Sequence, residues 1–138
     1  MSDRLIVHVD GGARGNPGPA AAGAVVSAPD GSVLREAGRY VGETTNNVAE
    51  YRAVLLGLEL AAELGGREVE VINDSELVAR QIGGQYRVKN AGLKPLYEDA
   101  MAALRRFEKW SVRNVPRAGN ARADALVNQA LDEAVRRA

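Results

Sequence analysis

The sequence predicts an α/β fold with a five-stranded mixed sheet, three antiparallel strands followed by parallel ones, flanked by helices in a single domain over residues 1–138. Three observations predict it. Short apolar runs rich in β-branched residues stand at 5–9, 20–27, 32–41, 67–73 and 110–115. The first three are joined by segments too short for a crossover helix, so they form an antiparallel meander. The later runs are separated by helix-periodic segments, and strands so connected join a sheet in parallel through crossovers. If the fourth strand lies parallel beside the first, the two end as neighbours at one edge of the sheet.

Leu5 to Val9 is the first strand, and the spacing predicts that Asp10 ends it where the loop Gly11-Gly12-Ala13-Arg14-Gly15-Asn16-Pro17-Gly18-Pro19 begins. A carboxylate at a strand's C-terminal edge stands where α/β sheets bind ligands, and the bare backbone of a residue such as Gly11 lets a phosphate or sugar approach closely. Pro29-Asp30-Gly31 is the turn between the second and third strands. Thr44-Thr45-Asn46-Asn47 then precedes a helix with Tyr51, Val54, Leu55, Leu58, Ala61 and Ala62 on one stripe, ending at Gly65-Gly66. Arg67 to Asn73 delivers Asp74 at another strand end, and Ser75 to Ile82 is a short helix stopped by Gly83-Gly84. Pro95 suits the first turn of a third helix, with Tyr97, Ala100, Met101, Leu104 and Phe107 on one face. Trp110 to Val115 is the last strand. Asn120 caps a final helix striped by Ala123, Leu126, Val127, Ala130, Leu131, Ala134 and Val135.

Composition narrows the chemistry. There is no cysteine and one histidine among 138 residues, so a bound metal would have to be held by carboxylates, which suit Mg²⁺ or Mn²⁺. The N-terminal Met-Ser-Asp-Arg carries no apolar signal core, and no apolar run approaches membrane-spanning length, so a cytoplasmic protein without a membrane partner is expected. Eighteen basic residues balance eighteen acidic ones, which argues against gripping nucleic acid by bulk charge. The window Arg80 to Arg122 nevertheless holds ten basic residues against three acidic ones, a local excess of +7. A nucleic-acid face and an ordinary solvated face both account for it.

Four acids sit at element ends: Asp10, Glu50, Asp74 and Asp124. Each has a structural use on its own. Glu50 with Asn47 resembles a capping box, Asp74-Ser75 can start a helix, and Asp124 lies in the first turn of the last helix. Two carboxylates about 4 Å apart repel by about 4 kcal/mol at an effective dielectric near 20, so a cluster of four needs cations or shared protons.

Asp10-Gly11-Gly12 with Gly15-Asn16-Pro17-Gly18-Pro19, then Thr44-Thr45-Asn46-Asn47 with Glu50, then Asp74-Ser75, then Asn120 with Ala123-Asp124 and Leu126 resemble type 1 ribonuclease H, in order and over essentially the whole chain. The resemblance implies a ribonuclease H-like fold and an endonuclease that hydrolyses the RNA strand of an RNA–DNA hybrid without sequence preference. Double-stranded RNA is a candidate additional substrate. It implies two Mg²⁺ ions, with Mn²⁺ as substitute: Asp10 between them, Glu50 and Asp74 on one, Asp124 on the other. Asn16, Asn46 and Asn47 match positions that lie against nucleic acid, and Glu50 would also accept a ribose 2′-hydroxyl.

Three positions depart from the family pattern. Many members insert a basic handle after the helix following Asp74, whereas only Gly83 to Lys94 is available here, leaving Arg87, Lys89 and Lys94 as the first substrate-binding cations. Many members place a histidine before the last carboxylate, where Arg117 stands in this chain and takes the candidate catalytic role. Val48 replaces a basic residue, so a DNA phosphate pocket would rest on Thr45, Asn16 and backbone amides. Handle-less, arginine-bearing variants resemble archaeal and some bacterial members and one half of certain two-domain actinobacterial proteins. A monomer is expected. Junction resolvases and transposases share the fold and acidic site, but the paired amide blocks favour recognition of ribose. A duplex-binding module without catalysis is the third reading, and the presence of all four acids counts against it.

Overall fold

The computed structural model describes residues 3–137, so Met1, Ser2 and Ala138 lie outside the described residues and of the N-terminal segment only Asp3 and Arg4 are seen. The order is β1 (Arg4–Ala13), β2 (Gly18–Ser27), β3 (Val33–Thr44), α1 (Asn46–Glu63), β4 (Glu68–Asn73), α2 (Glu76–Ile82), α3 (Lys94–Arg105), β5 (Lys109–Asn114) and α4 (Ala121–Arg137). A one-turn 3₁₀ helix at Arg117–Asn120 leads into α4. The sheet runs β3-β2-β1-β4-β5, antiparallel through the first three strands and parallel across β1-β4-β5. That is the expected mixed sheet, with the fourth strand beside the first. No helix among the described residues is long and apolar enough to cross a membrane.

The strands alternate as a two-sided sheet requires. Leu5, Val7 and Val9 of β1 and Ala22, Ala24 and Val26 of β2 point into the main core, where α1 covers them. Ala21 and Val25 point to the other face and meet Val127, Leu131, Ala123 and Leu126 of α4. The stripe expected on α1 proves too narrow, because Ala53, Leu56, Gly57 and Leu60 are buried as well, and it reaches too far at Ala62, which is exposed. The cause is a second layer: α3 buries Leu96, Ala100 and Leu104 against the same core, so α1 is enclosed by the sheet on one side and α3 on the other. The stripe on α4 is correct to Leu131, but Val135 stands 59% exposed.

Two boundaries shift in a way that matters. Asp10 does not end β1, which stays paired with β2 through Asp10↔Gly23 to Ala13↔Ala20. What ends near Asp10 is the parallel partner: the β1–β4 register stops at His8↔Ile72. The glycines at 11 and 12 thus belong to a strand whose one side has lost its neighbour, and the true loop is only Arg14 to Pro17. The third strand likewise runs to Thr44, past the expected Val41, with a register irregularity at Ala20/Ala21.

Candidate active site

Beside the gap left at Asp10, α1 packs against the strand at Gly11. Gly11 makes room for α1. A Cβ placed on Gly11 would lie 2.2 Å from the Ala49 carbonyl oxygen, so only a bare backbone lets the helix carry Glu50 up to the strand. Thr45, not Asn47, caps this helix, its hydroxyl accepting from the Val48 amide at 3.3 Å. The expected capping box is therefore absent. Glu50 lies past the first turn, where no orphan amide needs it. Its carboxyl instead takes a hydrogen bond from the Ser75 side chain.

Asp74 follows the last residue of β4. The turn is tied by Asn73 Oδ1, which accepts from the Ser75 amide at 2.9 Å, while the Ser75 hydroxyl caps α2 at Val78. Asp74 itself is spared from capping, and its side chain is only 13% exposed. Tyr51, fully buried, donates its hydroxyl to Gln81 Oε1 at 2.6 Å and so locks α1 to α2 beneath Glu50 and Asp74.

Asp124 arrives from the far face of the sheet. Asn120 was expected to cap α4, but it lies within the 3₁₀ turn and points inward, 1% exposed, with Nδ2 donating to the Val9 carbonyl at 2.7 Å. That bond pins the start of α4 to the residue preceding Asp10. Close packing completes the docking, because Gly23, the β2 partner of Asp10, has no Cβ to meet the Ala123 carbonyl or the Leu126 side chain. Asp124 then lies in the first turn of α4, where the helix dipole favours its charge.

The four acids line one cleft of about 460 Å³, together with Gly11, Asn46, Arg14, Arg117 and Asn128. Asp10 is central. Burial first, then the charges of and hydrogen bonds with Asp74 and Asp124, push its carboxyl up to about 8. Burial also raises Glu50, helped by the charge of Asp74 and opposed by the Ser75 hydrogen bond. Arg117 Nε stands 3.8 Å from Asp74 Oδ2 on a side chain 85% exposed, too loose and too wet to neutralise the group.

This donor set fits divalent cations. All four ligand candidates are hard oxygen donors, and the cost of crowding them is relieved by positive charge. Asn73 Nδ2 is buried without a partner in a recess shared with Asp10, Glu50 and Asp74, which suits a hydrated site. Among the described residues no group of three or more histidine, cysteine, aspartate or glutamate side chains already stands as a closed ligand set.

A reverse transcriptase-like family model matches residues 8–130. A ribonuclease HI of Halobacterium salinarum is 44% identical over 131 residues, covering 95% of this chain and 66% of that protein. The structure of LC11-RNase H1, isolated from compost by a metagenomic approach and solved in complex with an RNA/DNA hybrid, superposes with a TM-score of 0.91 at 44% identity, covering 95% of this chain and 99% of that one. The chain belongs to the type 1 ribonuclease H family. It also matches the bifunctional protein Rv2228c of Mycobacterium tuberculosis, at 46% identity over 98% of this chain and 37% of that protein. This ribonuclease H-like chain thus spans between about a third and two thirds of the length of these two curated relatives.

The remaining candidates for a ribonuclease H site divide into two groups. Asn16 Oδ1 accepts from the Asn46 amide at 3.0 Å and Asn46 Oδ1 from the Ala13 amide at 2.8 Å, stitching the β1–β2 loop to the start of α1. Asn46 reaches the cleft, whereas Asn16, Thr45 and Asn47 stand at its margin on these two segments. Arg87, Lys89 and Lys94 do not line the cleft. They lie between α2 and the start of α3, on a segment anchored by buried Val88 and Leu93. Nor is the Arg80 to Arg122 window one basic face. Arg80 pairs with Glu76, Arg113 with Glu70, Arg117 with Asp74 and Arg122 with Glu36, acids that lie outside the window. His8 is half-buried, and burial together with the Arg113 charge lowers its pKa, so it is neutral at pH 7. Sequence reasoning missed Ser75, Asn73, Arg14 and Asn128, and misread Asn120. For Arg14 a signal existed, since it is the one cation in the loop following Asp10.

Proposed function

We propose that this chain is a metal-dependent endoribonuclease that hydrolyses the RNA strand of RNA–DNA hybrids without sequence preference, leaving 3′-hydroxyl and 5′-phosphate ends. The observation that carries it is Asp10, a carboxyl shared between Asp74 and Asp124 in a cleft that also holds Glu50. Asp10, Glu50, Asp74 and Asp124 would hold two divalent ions, Mg²⁺ with Mn²⁺ as substitute. When bound, such ions supply a water of lowered pKa and neutralise charge building on the phosphate.

The chain's own residues do the rest. The Ser75 hydroxyl fixes Glu50, and the Tyr51–Gln81 bond keeps the helices that carry Glu50 and Asp74 in register. Because Asn16 and Asn46 spend their Oδ1 atoms on backbone amides, their Nδ2 groups stay free to donate to a nucleic-acid strand. Neutral amides and backbone read sugar and phosphate rather than base, which gives discrimination by the 2′-hydroxyl without sequence preference. Arg117, exposed at the Asp74 end, would attract a phosphate, and Arg87, Lys89 and Lys94 would meet the duplex outside the cleft. The protein would work as a cytoplasmic monomer built on one ribonuclease H-like domain.

Cleavage of hybrid, double-stranded RNA, duplex DNA and single strands in Mg²⁺ tests the reading, with Asp10→Asn beside the parent. We expect the parent to cut hybrid and leave DNA intact, and Asp10→Asn to bind hybrid without cutting it. Binding by the parent without metal-dependent cleavage would favour the duplex-binding module instead.

A further inference from the structure

We infer that Arg14 is a substrate-binding residue, held ready by Asp132 in the free protein, that takes a backbone phosphate of the duplex at the end of the cleft opposite Arg117. The inference rests on the hybrid nuclease reading. Arg14 Nη2 donates to Asp132 Oδ1 at 2.8 Å, joining the β1–β2 loop to α4. Asp132 lies eight residues beyond Asp124 on α4, about 12 Å along the axis at 1.5 Å per residue. The cleft thus runs from Arg117 beside Asp74, across the four acids, past Asn128 to Arg14. A strand whose scissile phosphate sits among the carboxylates would place a different phosphate at Arg14.

The base of Arg14 is fixed while its tip is free to exchange. Its amide donates to the Pro19 carbonyl at 2.8 Å, and its own carbonyl packs against Gly18, where a Cβ would lie 2.1 Å away. Asn16 and Asn46 pin the same loop to α1. The ion pair, by contrast, joins side chains 43% and 62% exposed, and pairs of this kind contribute little to stability. A phosphate accepting a bidentate guanidinium is the stronger partner. Asp132 then acts as a placeholder: it keeps Arg14 extended along the cleft and yields it when the duplex arrives.

The opposite signs expected of the two partners provide the test. Arg14→Ala and Asp132→Ala are compared with the parent for KM and kcat on hybrid in Mg²⁺, and for binding of labelled hybrid in Ca²⁺ at several salt concentrations. Arg14→Ala should raise KM and Kd about three- to tenfold, the worth of one partly exposed charged contact, with kcat little changed. Its salt slope should be shallower by about 0.7–0.9, one phosphate fewer. Asp132→Ala should tighten binding, because it removes both the competitor and a negative charge facing the duplex. Weakening by both variants alike would show a structural strut, and no change in either would show a surface pair; both results overturn the inference while leaving hybrid cleavage by the parent intact. Failure of the parent itself to bind or cut hybrid overturns the nuclease reading and this one together.

Discussion

Asp10 carries the most unusual electrostatics in the chain, and its titration makes a prediction apart from catalysis. In the metal-free protein its carboxyl stands near 8, against 3.8 for an unperturbed group, so between those values the folded state binds the extra proton. Stability from this group is full at low pH and is lost as pH rises through about 8, and Glu50 shifts in the same direction. Melting temperatures in EDTA should therefore fall between about pH 4 and pH 8, and Asp10→Asn should flatten the fall; a parent that gains stability over that range would contradict the carboxyl contacts. Arg117 makes a second prediction. Arginine stays charged at every working pH and cannot serve as a base, and His8 is held below its ordinary pKa of 6.5. The pH–rate profile should show no imidazole limb near 6.5, and Arg117→Ala should slow cleavage severalfold. A limb that His8→Ala abolishes, or a rate untouched in Arg117→Ala, would remove Arg117 from the site. All four carboxylates were legible in the sequence because each lies inside a recognisable block. Ser75 was legible only as a helix starter, since its contact with Glu50 joins residues 25 positions apart in different elements.

The elements show where sequence reasoning reached its limit. Periodicity found every strand and helix of the sheet layers, and the β-α-β connections placed β4 beside β1. It misjudged α1, whose burial on two sides depends on α3 packing from a distance that no local pattern reveals. It also read Asp10 as a strand end because glycines signal turns, whereas Gly11 and Gly12 stay in the extended strand and Gly11 makes room for α1. That difference can be measured. Gly11→Ala drives a Cβ into backbone rather than a yielding side chain, so it should cost about 1–3 kcal/mol in urea denaturation and displace Glu50, lowering cleavage beyond the loss of fold. Wild-type stability in Gly11→Ala would mean that α1 does not press on β1 there. Asn120 carries a comparable prediction. Removing its buried bond to the Val9 carbonyl in Asn120→Ala should cost about 1–3 kcal/mol and loosen Asp124 more than Glu50. Hydrogen exchange should then rise at the start of α4 and not in α1.

At the scale of the whole molecule, charge is balanced, and of the ten cations in the basic window Arg80, Arg113, Arg117 and Arg122 face acids from outside it, so the proposed grip on nucleic acid would rest on the remaining cations and on a few contacts around the cleft. Sequence counting could not foresee most of this, because Glu36, Glu70 and Asp74 reach the window only through the folded sheet, whereas the Glu76–Arg80 pair is a local contact one turn apart on α2. Recognition must come chiefly from shape and from the 2′-hydroxyls of one strand, which makes strand choice the central claim. The direct measurement is cleavage, in Mg²⁺, of a hybrid labelled separately on its RNA and DNA strands, with the end groups of the products determined. The account predicts cuts at many positions in the RNA strand alone, each leaving a 3′-hydroxyl and a 5′-phosphate. Cutting of the DNA strand, or RNA products ending in a 2′,3′-cyclic phosphate, would contradict it.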